Sequence, residues 1–398
     1  MDRIKMKAMK NEPVNTRFVP VYRDAGFDLQ DAEKAAMAFR SELDHPHHPD
    51  DFIYSRYRNP TVVAVEEQLA AVEGSEWALL TESGMAAIDT ALSVFQWAEE
   101  DRPWLFFSEI YGGTNSFIDE VLIKRRGLDI RRFVTGGDRH DMAAFKRMLE
   151  EVRPDMVYFE AISNPMLIVA DGKEIIRQAK EAGSVVIVDN TFATPWLWKP
   201  LKDGADMVIH SATKYLAGHG NLTAGVVCGN DRDLMKDLIR YRKLTGHMLS
   251  PDDAARLGDY LATFPLRMQQ HCYNAGKVAR ELSRHPAVEK VLYPGLGTHP
   301  THDEAVNLFG KRGFGGMVTF DMAGRDDEEK RLRRDRFIAA VSGKIPLVPT
   351  LGDTGTILLP IEPVWGDKYP TPGMIRLSVG IEPAGNLLRI IKKGLEAL

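Results

Sequence analysis

Cysteine is nearly missing from this chain: Cys228 and Cys272 are the only two, far apart and in no CxxC pattern. That scarcity argues against a disulfide framework and a cysteine-held zinc site, and points to a reducing cytoplasm as the expected location. Long apolar runs are missing too. No stretch approaches the roughly 18 residues of a membrane span, and the basic start MDRIKMKAMKNEPVN leads into no apolar core or small-residue cleavage site. The chain is therefore expected to be neither secreted nor membrane-spanning. Neither sign of charge is in large excess, and a net −5 over 398 residues gives no electrostatic reason to expect a nucleic-acid partner. A nicotinamide-dependent dehydrogenase is disfavoured by a further lack: there is no strand–GxGxxG–helix unit with an acidic residue following, and the GxG at Gly218–Gly220 is too weak a signal.

What remains, 44% hydrophobic and 27% charged, is an ordinary globular composition with length for two or three domains. Residues 1–60 show no sustained periodicity and read as an extended arm that must lean on something else to be ordered. Its piece DHPHHPDD (Asp44–Asp51) reads as a solvated loop rather than a metal site, because prolines hold it extended and no ligand cluster completes it. From Pro60 the pattern changes. ESGMAAIDTALSVF, PWLFFSEI, HDMAAFKRMLEEV, DMVYFEAI, EIIRQAKEAG, SVVIVDN and ADMVIHSATK read as helix, strand, helix, strand, helix, strand and strand. This alternation predicts an α/β domain over 61–262, with a mostly parallel sheet between helices and ligands at the carboxyl ends of its strands. Helical stretches DLIRYRKL, SPDDAARLGDYLATF and LRMQQHCYNAGKVARELSRH follow. GGMVTFDMAG, a charged helix at 326–342, IPLVPTLG, MIRLSVGIE and GNLLRIIKKGLEAL then read as a smaller α+β domain, giving a second unit over 263–398.

Asp189 ends the most apolar strand, where a lone carboxylate is costly and wants a cation. A protonated pyridine nitrogen is one such partner, which the carboxylate keeps charged so that the ring acts as an electron sink; a strand-end Asp capping the next turn is the other reading. In HSATKYLAGHGN, Ser211 and Thr213 offer hydroxyls to a phosphate, and Lys214 offers an amine to an aldehyde. Gly84 and Met85 open a helix whose free amides suit a phosphate, although Ser-Gly before a helix is also a common cap. Tyr111 ends a strand in SEIYGGTN, where the following glycines leave room for a flat ligand against its ring; a core tyrosine is the alternative.

Together YSRYRNPT, ESGMAA, YGGTN, SNP, VVIVDNTF, HSATKY with GHG, LTGHMLSP and MIRLSVGIE resemble the Cys/Met-metabolism enzymes of pyridoxal-5′-phosphate (PLP) fold type I, a group with cystathionine γ-synthase, cystathionine γ-lyase and methionine γ-lyase. The resemblance implies a PLP-dependent transferase fold with a seven-stranded-type sheet. It makes Lys214 the lysine joined to the cofactor, Asp189 the pyridinium partner, Tyr111 the stacking and catalytic residue, and Gly84, Met85, Ser211 and Thr213 the phosphate cradle. Asn164 would lie beside the cofactor's 3-oxygen, Arg376 would hold the substrate carboxylate, and Asn164, Thr350 and Tyr54 would line the substrate site. Tyr54 and Arg56 would reach the phosphate of a neighbouring subunit, so that the arm serves another chain in a homotetramer of active-site-sharing dimers.

The implied chemistry is loss of the γ-substituent of a sulfur amino acid. Hydrolysis then gives a 2-oxo acid and ammonia, the lyase outcome, whereas attack by a thiol at Cγ gives replacement, the synthase outcome. The sequence leans towards the lyases through LGDT and LTGHMLSP. It departs from them at Gly113, where a cysteine is common, at Lys243, where an acid is frequent, and at Thr350, where serine usually precedes Leu-Gly. Gly355 falls in a stretch that often carries Glu or Ser, and IEPVWGDKYPTPG lacks the usual histidine-bearing Pro segment. Aminotransfer is disfavoured by the lyase-type motifs. A catalytically dead relative would have lost Lys214, Asp189 or Arg376, and all three are present.

Overall fold

A computed structural model of the protein describes residues 19–96 and 102–398; the first part of the expected arm, residues 1–18, lies outside them. Seven strands build the larger sheet: β1 (Trp77–Thr81), β2 (Trp104–Phe107), β3 (Ile130–Phe133), β4 (Met156–Glu160), β5 (Val185–Asp189), β6 (Met207–His210) and β7 (Gly225–Gly229). Their order is β1-β7-β6-β5-β4-β2-β3, and β7 alone runs against its neighbours. The parallel pairs β2–β4, β4–β5 and β5–β6 are made of continuous apolar runs, as a sheet covered on both faces requires. Register sets Glu160 of β4 opposite Asp189 of β5 at the carboxyl ends of the two strands.

A second, antiparallel sheet holds β8 (Val288–Leu292), β9 (Met317–Met322), β10 (Ile357–Pro360) and β11 (Met374–Ser378) in the order β10-β11-β9-β8. Helix Phe264–Leu282 joins the two cores. Phe264, Met268 and Cys272 pack in the first, and Ala275, Val278, Ala279 and Leu282 in the second. Among the described residues no helix is long and apolar enough to cross a membrane.

The extended reading of the arm needs correction. Asp31 accepts from the Lys34 amide at 2.8 Å and caps a helix, Ala32–Ser41. Only Ala38 of that helix is buried; Met37 and Phe39 stand more than half exposed, so no inward apolar stripe announces it in the sequence. The His-rich piece Asp44–Asp51 consists of bends, with His45 paired to Asp50 at 2.7 Å and His48 to Glu67 at 3.0 Å.

Candidate functional site

Loops at the carboxyl ends of β4, β5 and β6 meet the second sheet at a cleft of about 300 Å³. Ten of the twelve residues proposed from sequence line it: Lys214, Tyr111, Asp189, Gly84, Met85, Asn164, Ser211, Thr213, Thr350 and Arg376. Tyr54 and Arg56 do not. The Arg56 guanidinium instead lies between the Tyr54 and Tyr57 rings, 5.4 and 5.2 Å from their centroids, and donates to the Lys243 carbonyl. Lys243 in turn pairs with Glu42 at 2.6 Å, which is where its charge is answered.

Lys214 sits in the turn after β6, and its Nζ donates to the Thr350 hydroxyl at 2.9 Å. Burial, and then the nearby Arg376 cation, lower its pKa, so the neutral amine becomes easier to reach. Arg376 comes from β11 and is only 4% exposed. Its guanidinium donates to Asn164 Oδ1 at 2.9 Å and to the Thr350 carbonyl at 3.0 Å, while Nε is buried without an acceptor. Burial pushes its pKa down to about 10, which leaves it cationic near neutrality. Trp365 lies against the same guanidinium, 5.4 Å from it, and belongs to the segment that lacks the family's histidine.

Asp189 is buried at the strand end and accepts from the Thr191 amide at 2.9 Å and the Tyr158 hydroxyl at 3.3 Å. Desolvation raises its pKa, against the pull of the Thr191 hydrogen bonds. Glu160 beside it is raised more strongly, by burial and then by Asp189. Glu160 was not singled out in the sequence, although its place at the carboxyl end of a buried strand was the signal; its carboxylate accepts from the Tyr111 amide at 2.6 Å. Tyr111 does not end a strand as expected. Strand pairing stops at Phe107, and Tyr111 lies in the turn that opens helix Gly112–Phe117, its ring about half exposed.

The phosphate cradle is built from two turns. Ser83 caps helix Gly84–Ser93 by accepting from the Ala86 amide at 3.1 Å, which leaves the first-turn amides of Gly84 and Met85 for another acceptor. A Cβ on Gly84 would stand 2.9 Å from the Ser211 hydroxyl, so glycine keeps the space between the two turns open. Thr191 accepts from the Ser211 amide at 2.8 Å and ties the β5 and β6 turns together.

Gly113 matters for the same kind of reason. A Cβ there would run into the Tyr111 ring, so the ring can occupy its present place only over glycine. Gly113→Ala is expected to push the ring aside and lower kcat by about 10- to 100-fold, the cost of misplacing a reacting group. Steady-state kinetics alongside a thermal melt check this; unchanged kcat in a folded variant would disprove it.

The chain matches the family described as Cys/Met metabolism PLP-dependent enzyme over residues 2–396. It is 34% identical over 396 residues to L-methionine gamma-lyase of Fusobacterium nucleatum subsp. polymorphum, covering 96% of this chain and 94% of that protein. It is 38% identical over 354 residues to cystathionine beta-lyase of Lactococcus lactis subsp. cremoris, covering 87% and 89%. Cystathionine gamma synthase of Xanthomonas oryzae pv. oryzae, solved in complex with cystathionine, superposes with a TM-score of 0.82 at 28% identity over 95% of this chain and 92% of that one. The fold is thus PLP fold type I, as the motifs implied. The cleft suits the cofactor: a buried carboxylate with a raised pKa, helix amides beside the Ser211 hydroxyl in a space kept open by glycine, and an amine with lowered pKa all line it, while the Thr213 hydroxyl also bonds the Ala224 backbone. The chain belongs to the Cys/Met metabolism PLP-dependent enzymes and is itself a PLP-dependent enzyme.

Proposed function

We propose that this enzyme is a carbon–sulfur lyase that acts on sulfur amino acids by γ-elimination, releasing a 2-oxo acid, ammonia and a thiol. The observation that carries the reading is one cleft in which the Lys214 amine and an Arg376 guanidinium with an unused buried Nε share a neighbour, Thr350. The relative named L-methionine gamma-lyase, aligned along nearly the whole chain, supports it.

Bound in this cleft, PLP supplies an electron sink for charge developing at the substrate Cα. Arg376 grips the substrate carboxylate and fixes the direction of the Cα–H bond, with Asn164 and Thr350 holding the guanidinium from two sides. Asp189 would keep the pyridine nitrogen protonated, and that cation would offset the desolvation of its carboxylate. Gly84, Met85, Ser211 and Thr213, which line the cleft, would hold the phosphate, and Tyr111 would offer its ring to the pyridine. Lys214 is the residue that would anchor the cofactor, and its amine, when free and neutral, would take the proton from Cα. Tyr111 manages the proton at the departing sulfur.

Tyr54 and Arg56 serve the phosphate and substrate of a neighbouring subunit, in a cytoplasmic homotetramer whose dimers share active sites. Their position outside their own chain's cleft, and the exposed Met37 and Phe39 on the same arm, support this. In this reading residues 1–60 act on the neighbour, 61–262 bind the cofactor and 263–398 complete the substrate site.

Replacement at Cγ is the second reading, favoured by the fold match to a cystathionine gamma synthase. Incubating the holoenzyme with methionine, cystathionine and O-acylated homoserines, with and without a thiol, separates the two. The expected result is 2-oxobutyrate and ammonia without added thiol. A thioether formed only when thiol is present would replace the lyase reading with the transferase one; pyruvate from cystathionine would mean β-elimination, the activity in the name of the Lactococcus relative.

A further inference from the structure

A second cavity, of about 200 Å³, shares no lining residue with the cleft. It is smaller than the roughly 300–1,000 Å³ of drug-sized ligand pockets, which suits a molecule of amino-acid size. Three charges lie on its wall: Asp138, from the loop after β3, Lys290, on β8, and Glu109, whose carboxylate is already engaged by the Tyr369 hydroxyl at 2.8 Å. Neighbouring charges are paired off, Arg139 with Glu304 and Glu289 with Lys330, whereas Asp138 and Lys290 have no ion-pair partner among the described residues. His299 supplies a third polar group. Its Nδ1 accepts from the Thr301 amide at 3.2 Å, which puts the proton of the neutral ring on Nε2, and Nε2 is buried with no acceptor. The residue is 4% exposed, and burial holds its pKa down at about 4, so the ring stays neutral and Nε2 remains a donor in search of an oxygen. Met166, Ile168 and Leu292 give the cavity an apolar wall.

From this arrangement we infer that the cavity binds a free amino acid with an apolar side chain. Lys290 and the His299 Nε2–H receive the carboxylate, Asp138 receives the ammonium, and the side chain lies along Met166, Ile168 and Leu292. A cation and a buried N–H donor beside an unpaired carboxylate match a zwitterion, whereas a simple anion would meet both Asp138 and Glu109 and a simple cation would meet Lys290. Because Glu109 lines the cavity, the site adjoins the loop that carries Tyr111.

Titration calorimetry of the holoenzyme with L-norleucine tests the inference. Wild type should bind two equivalents per chain. The Asp138→Ala/Lys290→Ala double variant, whose changes fall on exposed side chains, should lose one equivalent and keep turnover, and Arg376→Ala should retain the equivalent that the double variant loses. A single equivalent in wild type, or two undiminished equivalents in the double variant, overturns it. A missing second equivalent leaves the lyase reading intact, because that reading is judged by product formation.

Discussion

Lys214→Ala is expected to lower turnover about 10⁴-fold and to abolish the visible absorption of the lysine-linked cofactor, since both the covalent anchor and the base at Cα disappear together. The amine is held by Thr350 at 2.9 Å, and no other lysine lines the cleft. Lys214→Arg should not restore activity: a guanidinium is neither a nucleophile nor a base near neutrality. The direction of the Lys214 shift adds a pH signature. A base works only when neutral, so activity should be lost as pH falls through its folded pKa, and that acid limb should lie below the ordinary lysine value of 10.5. Stopped-flow spectra and kcat across pH check both points, because the Lys214 amine is free only in the substrate complex, which kcat reports. Retention of the band in Lys214→Ala would remove Lys214 from its assigned role.

Glu66→Ala is expected to cost about 3–5 kcal/mol of stability, the penalty for stripping buried cations of their counter-charge. Glu66 accepts from Arg58 at 3.0 Å, Arg242 at 2.6 Å and the Leu80 amide at 2.9 Å, with all three side chains no more than 4% exposed. Burial already pulls the Arg58 pKa down to about 10 against the pull of Glu66, so the carboxylate is what makes two buried guanidiniums tolerable. Replacing all three, Arg58→Met, Glu66→Leu and Arg242→Leu, should recover most of the loss because no unpaired charge remains. Chemical denaturation of the single and triple variants decides it. Equal stability of Glu66→Ala and wild type would show the cluster to be relaxed by water. Arg58 lies in the same YSRYRNPT motif as Arg56, and Arg242 precedes Lys243, whose carbonyl takes Arg56; the cluster therefore pins the arm to the sheet.

Most of the cleft was legible because its side chains stand where apolar strands run out into turns. Asp189 after VVIV and Lys214 after MVIH are conspicuous for that reason, since a charge at the end of a buried strand needs a purpose. Glu160 satisfies the same criterion after MVYF, but its role runs through a backbone amide of Tyr111, a contact that no local pattern encodes. Trp365 was hidden differently: it reaches Arg376 from a segment remarkable in sequence only for the histidine it lacks.

Parts of the fold were invisible for physical reasons of their own. β7 is GVVCG, and its glycines read as breaks in a strand. In the structure they permit close packing: a side chain on Gly225 would strike the Ser83 carbonyl, and one on Gly229 the Trp77 ring. β3, IRRF, lies at the sheet edge and carries two arginines, so it lacks the apolar run that marks β4 and β5. Helix Ala32–Ser41 was missed because its apolar side chains face outward, where the chain itself gives them nothing to match.

The helix Phe264–Leu282 has a bearing on how the protein comes apart. Its first half is packed in one core and its second half in the other, so neither sheet can be stripped of its neighbours while the other stays intact without leaving a row of apolar side chains in water. Loss of order at either end is thereby felt along a single rod, which couples the unfolding of one sheet to that of the other.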